Sequence, residues 1–449
     1  RWEHTRYSTP DAPLCSKGAF LEDIHRFDPA AFGLTSQDAA AMETRQRIML
    51  EATDRALRDA GVFTPSTGVY ISCGENPYNA RSFLDDIRRD AVSMRGMLEN
   101  ATNNMVAARI SKAYGFEGGS MVVQAACASS LVAVAQACDA LRLGHCDVAI
   151  AGGVEVTHSP TLYALFGPNR VLSPSGYCRP YTEQADGFVP GEGAAAVILK
   201  RYDQAKVDGD HIYALIRGHG LTNDGRSFSA MAPNPAGQSN AAHRMFERVG
   251  VSPSSVEMIE GHGTATKIGD AVEINALQSV YQEGRQALTS VKSNFGHCFA
   301  AAGVVSLCKT ALSIFHGIIP GIAKFERPDP RHRIKESGPQ PIGHSTHFKH
   351  STRRATINSL GIGGTNCHML LESVPRRSDT DEARPGSLQT FEFSARTQEH
   401  LHSELTTLRD CLPTALEDVG LAALSENLRR RASPYQTHRL TLVARTSEE

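Results

Sequence analysis

Ten cysteines are scattered along the 449 residues, and Cys127 stands apart from the other nine by its surroundings. It lies in Gln124-Ala125-Ala126-Cys127-Ala128-Ser129-Ser130, where small neighbours leave room for a bound molecule. The apolar run Met121 to Ala126 follows the turn signal Gly118-Gly119-Ser120 and predicts a buried strand. Leu131, Val134, Ala135, Cys138 and Leu141 then recur at helical spacing until Gly144, so the cysteine falls at a strand-to-helix turn. A thiol there meets unpaired backbone N–H groups and the positive end of the helix dipole, which favours the thiolate and makes a nucleophile. No two cysteines have CxxC spacing, so neither a zinc site nor a dithiol redox pair is indicated. Scattered thiols in a chain of this size suit a reducing cytosol.

Two of the 18 histidines have comparable settings. Glu260-Gly261-His262-Gly263-Thr264-Ala265-Thr266 follows an apolar strand directly, and Val291-Lys292-Ser293-Asn294-Phe295-Gly296-His297 follows the short apolar run at Ala287-Leu288. Both imidazoles are expected near strand ends, where open α/β sheets bind ligands. A fourth element, Gly361-Ile362-Gly363-Gly364-Thr365-Asn366-Cys367-His368, is a glycine-dense turn between two apparent strands. Its exposed amides could donate to a developing oxyanion, or its glycines could serve conformation alone.

The elements that must position these groups are α/β in type. Asp147 to Ala151 reads as the strand after the Cys127 helix, and strand-helix-strand order implies a parallel sheet covered on both faces. Strands at Tyr213 to Ile216 and Val256 to Ile259 and helical patterns at Gln238 to Val249, Ala271 to Tyr281 and Ala300 to Phe315 repeat this grammar, suggesting two similar halves meeting near residue 210. After Glu372 the composition turns polar and rich in turn residues, as in a linker. Beyond it, strands at Leu388 to Phe393 and Arg439 to Val443 and a stripe of Leu401, Leu405, Leu408 and Leu412 predict a small α/β appendage, with the charge run Arg429-Arg430-Arg431 at a solvated helix end. A balance of 46 Lys+Arg against 48 Asp+Glu gives no global reason to bind nucleic acid or an anionic membrane. The longest apolar stretches, Ala194 to Leu199 and Phe299 to Leu307, fall short of the roughly 20 residues of a membrane span.

Taken together, the segments around Cys127, His262, Lys292 with His297, and 361 to 368 resemble the active-site motifs of β-ketoacyl synthases, in particular the ketosynthase domains of modular type I polyketide synthases. Collinear matches extend the resemblance over residues 1 to 373: Phe20-Leu21-Glu22-Asp23 with Phe27-Asp28, Asp186-Gly187-Phe188 with Gly191-Glu192-Gly193, Asn223-Asp224-Gly225-Arg226, Ala232-Pro233-Asn234, and Gly269-Asp270 with Glu273. Residues 374 to 449 resemble the linker domain that follows such ketosynthases. The resemblance implies a thiolase fold, two halves stacked in five α/β/α/β/α layers, and a homodimer paired near Met121 to Ala126. It implies that Cys127 takes an acyl chain from a phosphopantetheine thioester on an acyl carrier protein, and that His262 and His297 hold the thioester carbonyl of a malonyl-type extender. Lys292 would organise His297, with Glu273 as its ion partner. Thr264 and Thr266 would hydrogen-bond the pantetheine arm, and the amides of Cys127 and Ile362 would form an oxyanion hole. The implied reaction is decarboxylative Claisen condensation in polyketide biosynthesis, with branching or acyl relay as the alternative.

No cofactor of the chain's own, metal or nucleotide is implied, and an acyltransferase domain would act in cis or in trans. An acidic carrier would need a basic docking patch, for which Arg327, Arg331, Arg333, Lys335, Lys349, Arg353 and Arg354 are the densest candidates. The chain departs from the family pattern at Gln124-Ala125-Ala126, where Asp-Thr-Ala is usual, and at Ala265, where glycine is usual. It also opens on Arg-Trp-Glu, after the place of the family's first strand, which reads as a cut through a longer polypeptide and is expected to leave an unpaired edge inside the first sheet. A Cys-His-Asn hydrolase would share the thiolate and one imidazole but would not need the second histidine or Lys292.

Overall fold

The computed structural model describes residues 15–74, 99–100, 102–158, 161–167, 171–226, 229, 232–375, 388–395, 397–432 and 437–446. The first half holds α1 (Ser36–Ala41), α2 (Thr44–Ala60), β1 (Thr67–Cys73), α3 (Met105–Tyr114), β2 (Ser120–Val122), α4 (Ser129–Arg142), β3 (Val148–Glu155), α5 (Thr161–Phe166), β4 (Gly193–Lys200) and α6 (Tyr202–Asp208). The second holds β5 (Leu215–Asn223), α7 (Pro235–Val249), β6 (Met258–Glu260), α8 (Lys267–Val280), β7 (Arg285–Thr289), α9 (Lys292–Phe295), α10 (Ala302–His316), β8 (Ile318–Ile319), β9 (Gly338–Pro341), β10 (Thr346–His347), β11 (Arg354–Leu360) and β12 (Thr365–Glu372).

The two sheets share one plan. The first runs β2-β1-β3-β4, parallel except for the antiparallel β3–β4 pair. In the second, β7-β6-β11-β12 repeats that order and those directions, with β9 added beyond β7 and β5 beyond β12. Helices fill equivalent places: α2 and α3 cover the outer face of the first sheet, α7 and α8 that of the second, and α4 and α10 pack on each other between the sheets. That is the expected stack of five layers. The expected unpaired edge is not inside the first sheet, however. Among the described residues it is the outer side of β4, the place that β5 takes beside β12 in the second sheet.

The central layer explains the sequence pattern. Leu131, Val134 and Ala135 of α4 are fully buried, in one apolar cluster with Met369 and Leu371 of the second sheet and Ala149 and Ala151 of the first. Cutting Leu131 to Ala here would cost about 2–5 kcal/mol. The two helices approach so closely that a side chain on Gly303 would place Cβ 2.6 Å from the Leu131 nitrogen. Ser130 Oγ accepts from the Val304 amide at 3.0 Å, so a residue of α4 caps α10. Contrary to the reading of the apolar runs, the stretch Phe299–His316 is long and apolar enough by composition to cross a membrane; it is 61% buried and serves as a core helix.

Beyond 387, β13 (Gln389–Ala395) and β14 (His438–Ala444) form an antiparallel pair over α11 (Gln398–Arg431), which is broken at Gly420. Phe391, Phe393 and Leu424 make its core with the Leu401, Leu405, Leu408 and Leu412 stripe. This unit meets the first half through Arg58 and Glu404 and through His400 Nε2 and Asp28, 2.5 Å apart. The polar stretch 376–387 and the side chains of Arg429, Arg430 and Arg431 lie outside the described residues. Part of the expected docking patch is committed to structure: Arg353 donates to the Ile314 and Phe315 carbonyls at the end of α10, and Arg354 pairs with Glu372 at 2.6 Å.

Candidate active site

Cys127 sits in a single 3₁₀ turn, Ala126–Ala128, that runs straight into α4. The strand before it is shorter than the sequence suggests, only Ser120–Val122, and the chain then leaves the sheet to reach the turn. Ala126 takes a left-handed φ of 51°, a costly conformation for alanine that swings the next residue over the helix end. Ser129 holds the turn, accepting from the Ala125 amide at 2.7 Å and donating to the Ala126 carbonyl at 2.6 Å. Among the described residues no side chain caps α4; the 3₁₀ turn runs directly into it, and the Ser129 amide donates to the Ala126 carbonyl.

The expectation of a resting thiolate is not met. Burial pushes the Cys127 thiol up to about 11, outweighing the nearby Lys292 charge and the Ile362 amide, which pull the other way. The sequence shows the helix end but not the depth of cover over it. Cys127 therefore rests as a thiol, with the N–H groups of Ile362 and of Cys127 itself turned toward its sulfur.

His262 and His297 come together edge to face, with ring centroids 5.6 Å apart at 87°. Both are buried, and burial, reinforced by Lys292, holds both well below the ordinary histidine range; the His297 ring adds to the effect on His262. At neutral pH both are uncharged, and the hydrogen bonds fix which nitrogen carries the proton. His297 Nδ1 accepts from the Phe299 amide at 3.2 Å. His262 Nδ1 faces the Leu360 amide at 3.4 Å and Lys292 Nζ at 3.5 Å. Each ring thus keeps its proton on Nε2, ready to donate.

Lys292 and Glu273 behave differently from the expectation. Lys292, 2% exposed, donates to the His262 carbonyl, so it steadies His262 rather than His297. Among the described residues no carboxylate pairs with it. Glu273 instead accepts from the His262 and Gly263 amides at 2.6 and 2.9 Å, from Tyr181 Oη at 2.8 Å and from Asn358 Nδ2 at 2.7 Å. Its carboxylate is consumed by the backbone of the very turn that carries His262. One helical turn earlier, Asp270 accepts from the Tyr181 and Ala265 amides at 2.6 and 3.0 Å, and burial pushes its carboxyl up to about 8. This pins Ala265, which takes φ 58° where glycine is usual. Thr264 and Thr266 stand side by side, hydroxyls 3.0 Å apart, Thr264 half-buried and Thr266 beside it.

The glycine turn closes the site from the second half. A side chain on Gly361 would put Cβ 2.4 Å from the Ala125 carbonyl, so only glycine lets this turn reach the Cys127 turn. Ser359 Oγ donates to the Cys127 carbonyl at 3.2 Å, and the next residue's amide is the one facing His262, so the end of β11 touches both groups. Asp224, not singled out as a site residue by sequence, ties the turn down: its amide donates to the Gly364 carbonyl at 2.9 Å, and its carboxylate accepts from Asn366 Nδ2 at 2.7 Å. Tyr181, Asn358, Leu360 and Phe299 likewise carry no sequence signal of their roles. The i, i+3 spacing of Asp270 and Glu273 is the one local sign of a helix face turned toward a shared turn.

Comparison with known proteins shows the family. The family described as "Beta-ketoacyl synthase, N-terminal domain" matches residues 1–205, its C-terminal domain 213–326, and the ketoacyl-synthetase C-terminal extension 328–439. The mycocerosic acid synthase-like polyketide synthase of Mycolicibacterium smegmatis is 35% identical over 92% of this chain, which spans 20% of that protein. Erythronolide synthase EryA2 of Saccharopolyspora erythraea is 33% identical over all of this chain, which spans 13% of it. The chain thus covers a quarter or less of these curated relatives. Among solved structures, the oxazolomycin ketosynthase domain OzmH KS7 of Streptomyces albus JA3453 superposes with a TM-score of 0.89 at 30% identity, covering all of this chain and 80% of that one. The ketosynthase from module 6 of the bacillaene synthase of Bacillus subtilis 168 gives 0.87 at 30%, covering all of this chain and 77% of that one. With family matches running from residue 1 to residue 439 and such likeness along its whole length, the chain belongs to the β-ketoacyl synthase family of acyltransferases and has its thiolase-like fold.

Proposed function

We propose that this chain condenses a Cys127-bound acyl chain with a malonyl-type unit carried on an acyl carrier protein, as one step of polyketide assembly. The observation that carries the reading is the pair of neutral imidazoles, each accepting a backbone N–H at Nδ1 and so presenting Nε2–H, beside a buried thiol. In the first half-reaction the Cys127 sulfur attacks the carrier thioester, the amides of Cys127 and Ile362 stabilise the oxyanion, and the carrier thiol leaves with the proton. In the second, His262 and His297 donate to the thioester oxygen of the malonyl unit, the bond to its carboxylate breaks, CO₂ departs and an enolate remains. Its carbon attacks the acyl-Cys127 carbonyl, the carbon–carbon bond forms, the carbon–sulfur bond breaks, and the released sulfur takes a proton from water.

Neutrality suits this chemistry. A charged imidazolium pair beside Lys292 would be costly in a dry site, whereas neutral donors stabilise charge only where it develops. Lys292 and Glu273 act as positioning groups for the His262 turn, and Thr264 and Thr266 offer hydroxyls for the amides of a pantetheine arm. The chain works as a homodimer through the exposed edge of β2, where Met121 is 41% exposed, so a stable particle of twice 48.5 kDa is the expected result of sedimentation. The deciding experiment follows intact mass and CO₂ release separately: an acyl thioester should add its acyl mass to Cys127, and malonyl carrier protein should then give CO₂ and a β-ketoacyl product. Loading followed by hydrolysis without a β-ketoacyl product would overturn the reading in favour of a Cys-His hydrolase.

A further inference from the structure

The two central helices start in the same way. α4 grows out of the 3₁₀ turn Ala126–Ala128, and α10 out of the 3₁₀ turn Phe299–Ala301. In both turns the first residue takes a left-handed φ, 51° at Ala126 and 36° at Phe299. Ala300 therefore holds in the second half the place that Cys127 holds in the first. Serines cross between the halves to steady both turns: Ser359 Oγ donates to the Cys127 carbonyl at 3.2 Å, and Ser72 Oγ donates to the Ala300 carbonyl at 2.7 Å.

The turns differ in what their middle amide meets. The Cys127 amide is turned toward its own sulfur, whereas the Ala300 amide donates to Glu155 Oε2 at 3.2 Å. Glu155 ends β3 and is 6% exposed, so a buried carboxylate stands at the start of a helix, where its charge is favoured. Both polar ends of Ala300 are thus held by the first sheet, the N–H by β3 and the carbonyl by Ser72 of β1. A side chain on Gly153 would put Cβ 2.5 Å from Ser72 Oγ and 3.1 Å from the Ala300 oxygen, so β3 is bare where that second bond passes. The residue before Ala300 is Phe299, whose amide donates to His297 Nδ1. A left-handed phenylalanine persists only where its surroundings over-determine it.

We propose that Glu155 and Ser72 are positioning residues for decarboxylation: together they clamp Ala300, and the clamp keeps the Phe299 amide on His297 Nδ1 and the imidazole proton on Nε2. The inference rests on the donor role proposed above for His297. Without the clamp Phe299 relaxes toward an ordinary φ, its amide leaves Nδ1, and the ring carries its proton on either nitrogen. Only part of the molecules then present the donor. Glu155 also acts on the nucleophile. After burial it is the group that pushes the Cys127 thiol up, against Lys292 and the Ile362 amide, so its charge has a readout separate from its hydrogen bond.

Three variants test the clamp in the full chain. Glu155→Gln keeps an acceptor oxygen without the charge, Glu155→Ala removes both, and Ser72→Ala removes a single hydroxyl from the other arm. Glu155→Ala and Ser72→Ala should speed hydrogen exchange of the Phe299 and Ala300 amides at least about tenfold. In both, kcat for CO₂ release should fall at least about tenfold with KM for malonyl carrier protein within about twofold, while acyl loading of Cys127 stays within about threefold. Glu155→Gln should restore protection and most of the CO₂ release, yet shift the pH profile of Cys127 alkylation downward. The proposal is overturned if exchange at 299 and 300 is unchanged in Ser72→Ala, which carries the test alone should Glu155→Ala not fold. It is also overturned if loading falls in parallel with CO₂ release, if the loss lies in KM, or if Glu155→Gln behaves like Glu155→Ala. A wild-type chain that loads but releases no CO₂ overturns the proposed function instead, and the exchange data still judge the clamp.

Discussion

Phe299 lies flat against His297, ring centroids 4.6 Å apart at 13°, while its own amide donates to Nδ1 of the same imidazole. One residue thus sets both the tautomer and the dryness of the His297 imidazole. Its φ of 36° is strained, and packing against Phe166 and Phe188 holds it there.

Removing that cover should change the pH at which the second half-reaction fails. Phe299→Ala keeps the amide but wets the ring, so the acid limb of decarboxylation should move up toward the ordinary histidine range near about pH 6.5. A pH–rate profile of CO₂ release checks this; loading of Cys127 should keep its wild-type profile.

His297→Ala separates the two half-reactions. Acyl loading should stay within about tenfold of wild type, under about 1.4 kcal/mol of barrier, whereas CO₂ release should fall by about 10²–10³. Parallel mass and gas measurements on one preparation test it. Loss of loading with normal decarboxylation would instead make His297 the base for Cys127.

The Cys127 thiol should be slow to alkylate at neutral pH. Because burial pushes it up to about 11, the iodoacetamide rate at Cys127 should keep rising through about pH 9 and 10, unlike that of an ordinary thiol. Cys127→Ala should abolish acyl loading and leave Tm within about 2 °C, since one sulfur among small residues is removed.

Acid should destabilise the fold through the same two histidines. Both are held well below their unfolded value, so between the folded and unfolded values the unfolded chain binds more protons. Their contribution is complete above about pH 6.5 and is lost as pH falls below it. Urea midpoints measured from about pH 7.5 down to about 5 should decline, and less so in His262→Gln.

Glu273→Ala should damage stability more than any surface change. It strands two backbone amides, a tyrosine hydroxyl and an asparagine amide in a buried site, a cost of about 3 kcal/mol or more. Denaturant titration measures it, and any activity that survives should show impaired decarboxylation before impaired loading.

How far this architecture can be read from the chain depends on how local each signal is. The Cys127 turn, the two histidine turns and the glycine turn are local, and each is found where its motif stands. The helices are legible for the same reason, since α7, α8 and α10 keep their apolar spacing whatever they pack against. The resemblance pairs Lys292 with Glu273, but Lys292 donates to a carbonyl and Glu273 accepts from two amides, Tyr181 and Asn358, all brought in by the fold, and no spacing reveals them. The protonation of Cys127 escapes a sequence reading because a helix end is visible in sequence while a protein layer over it is not. β2 is only three residues long because, after the Val123 amide makes a last bond to the Ile71 carbonyl of β1, Gln124 to Ala126 are drawn off the sheet to reach Ser129 and the Gly361 turn.

The closure of α4 against α10 has a further consequence for how activity is acquired. Ser130 and Val304 are 174 residues apart in sequence, and the thiol and the second imidazole sit at the heads of these same two helices. Contacts of such high sequence separation form late, after each half has gathered its local structure. During refolding, helical circular dichroism should therefore recover before any ability to load or decarboxylate, so catalysis itself reports the final docking of the halves.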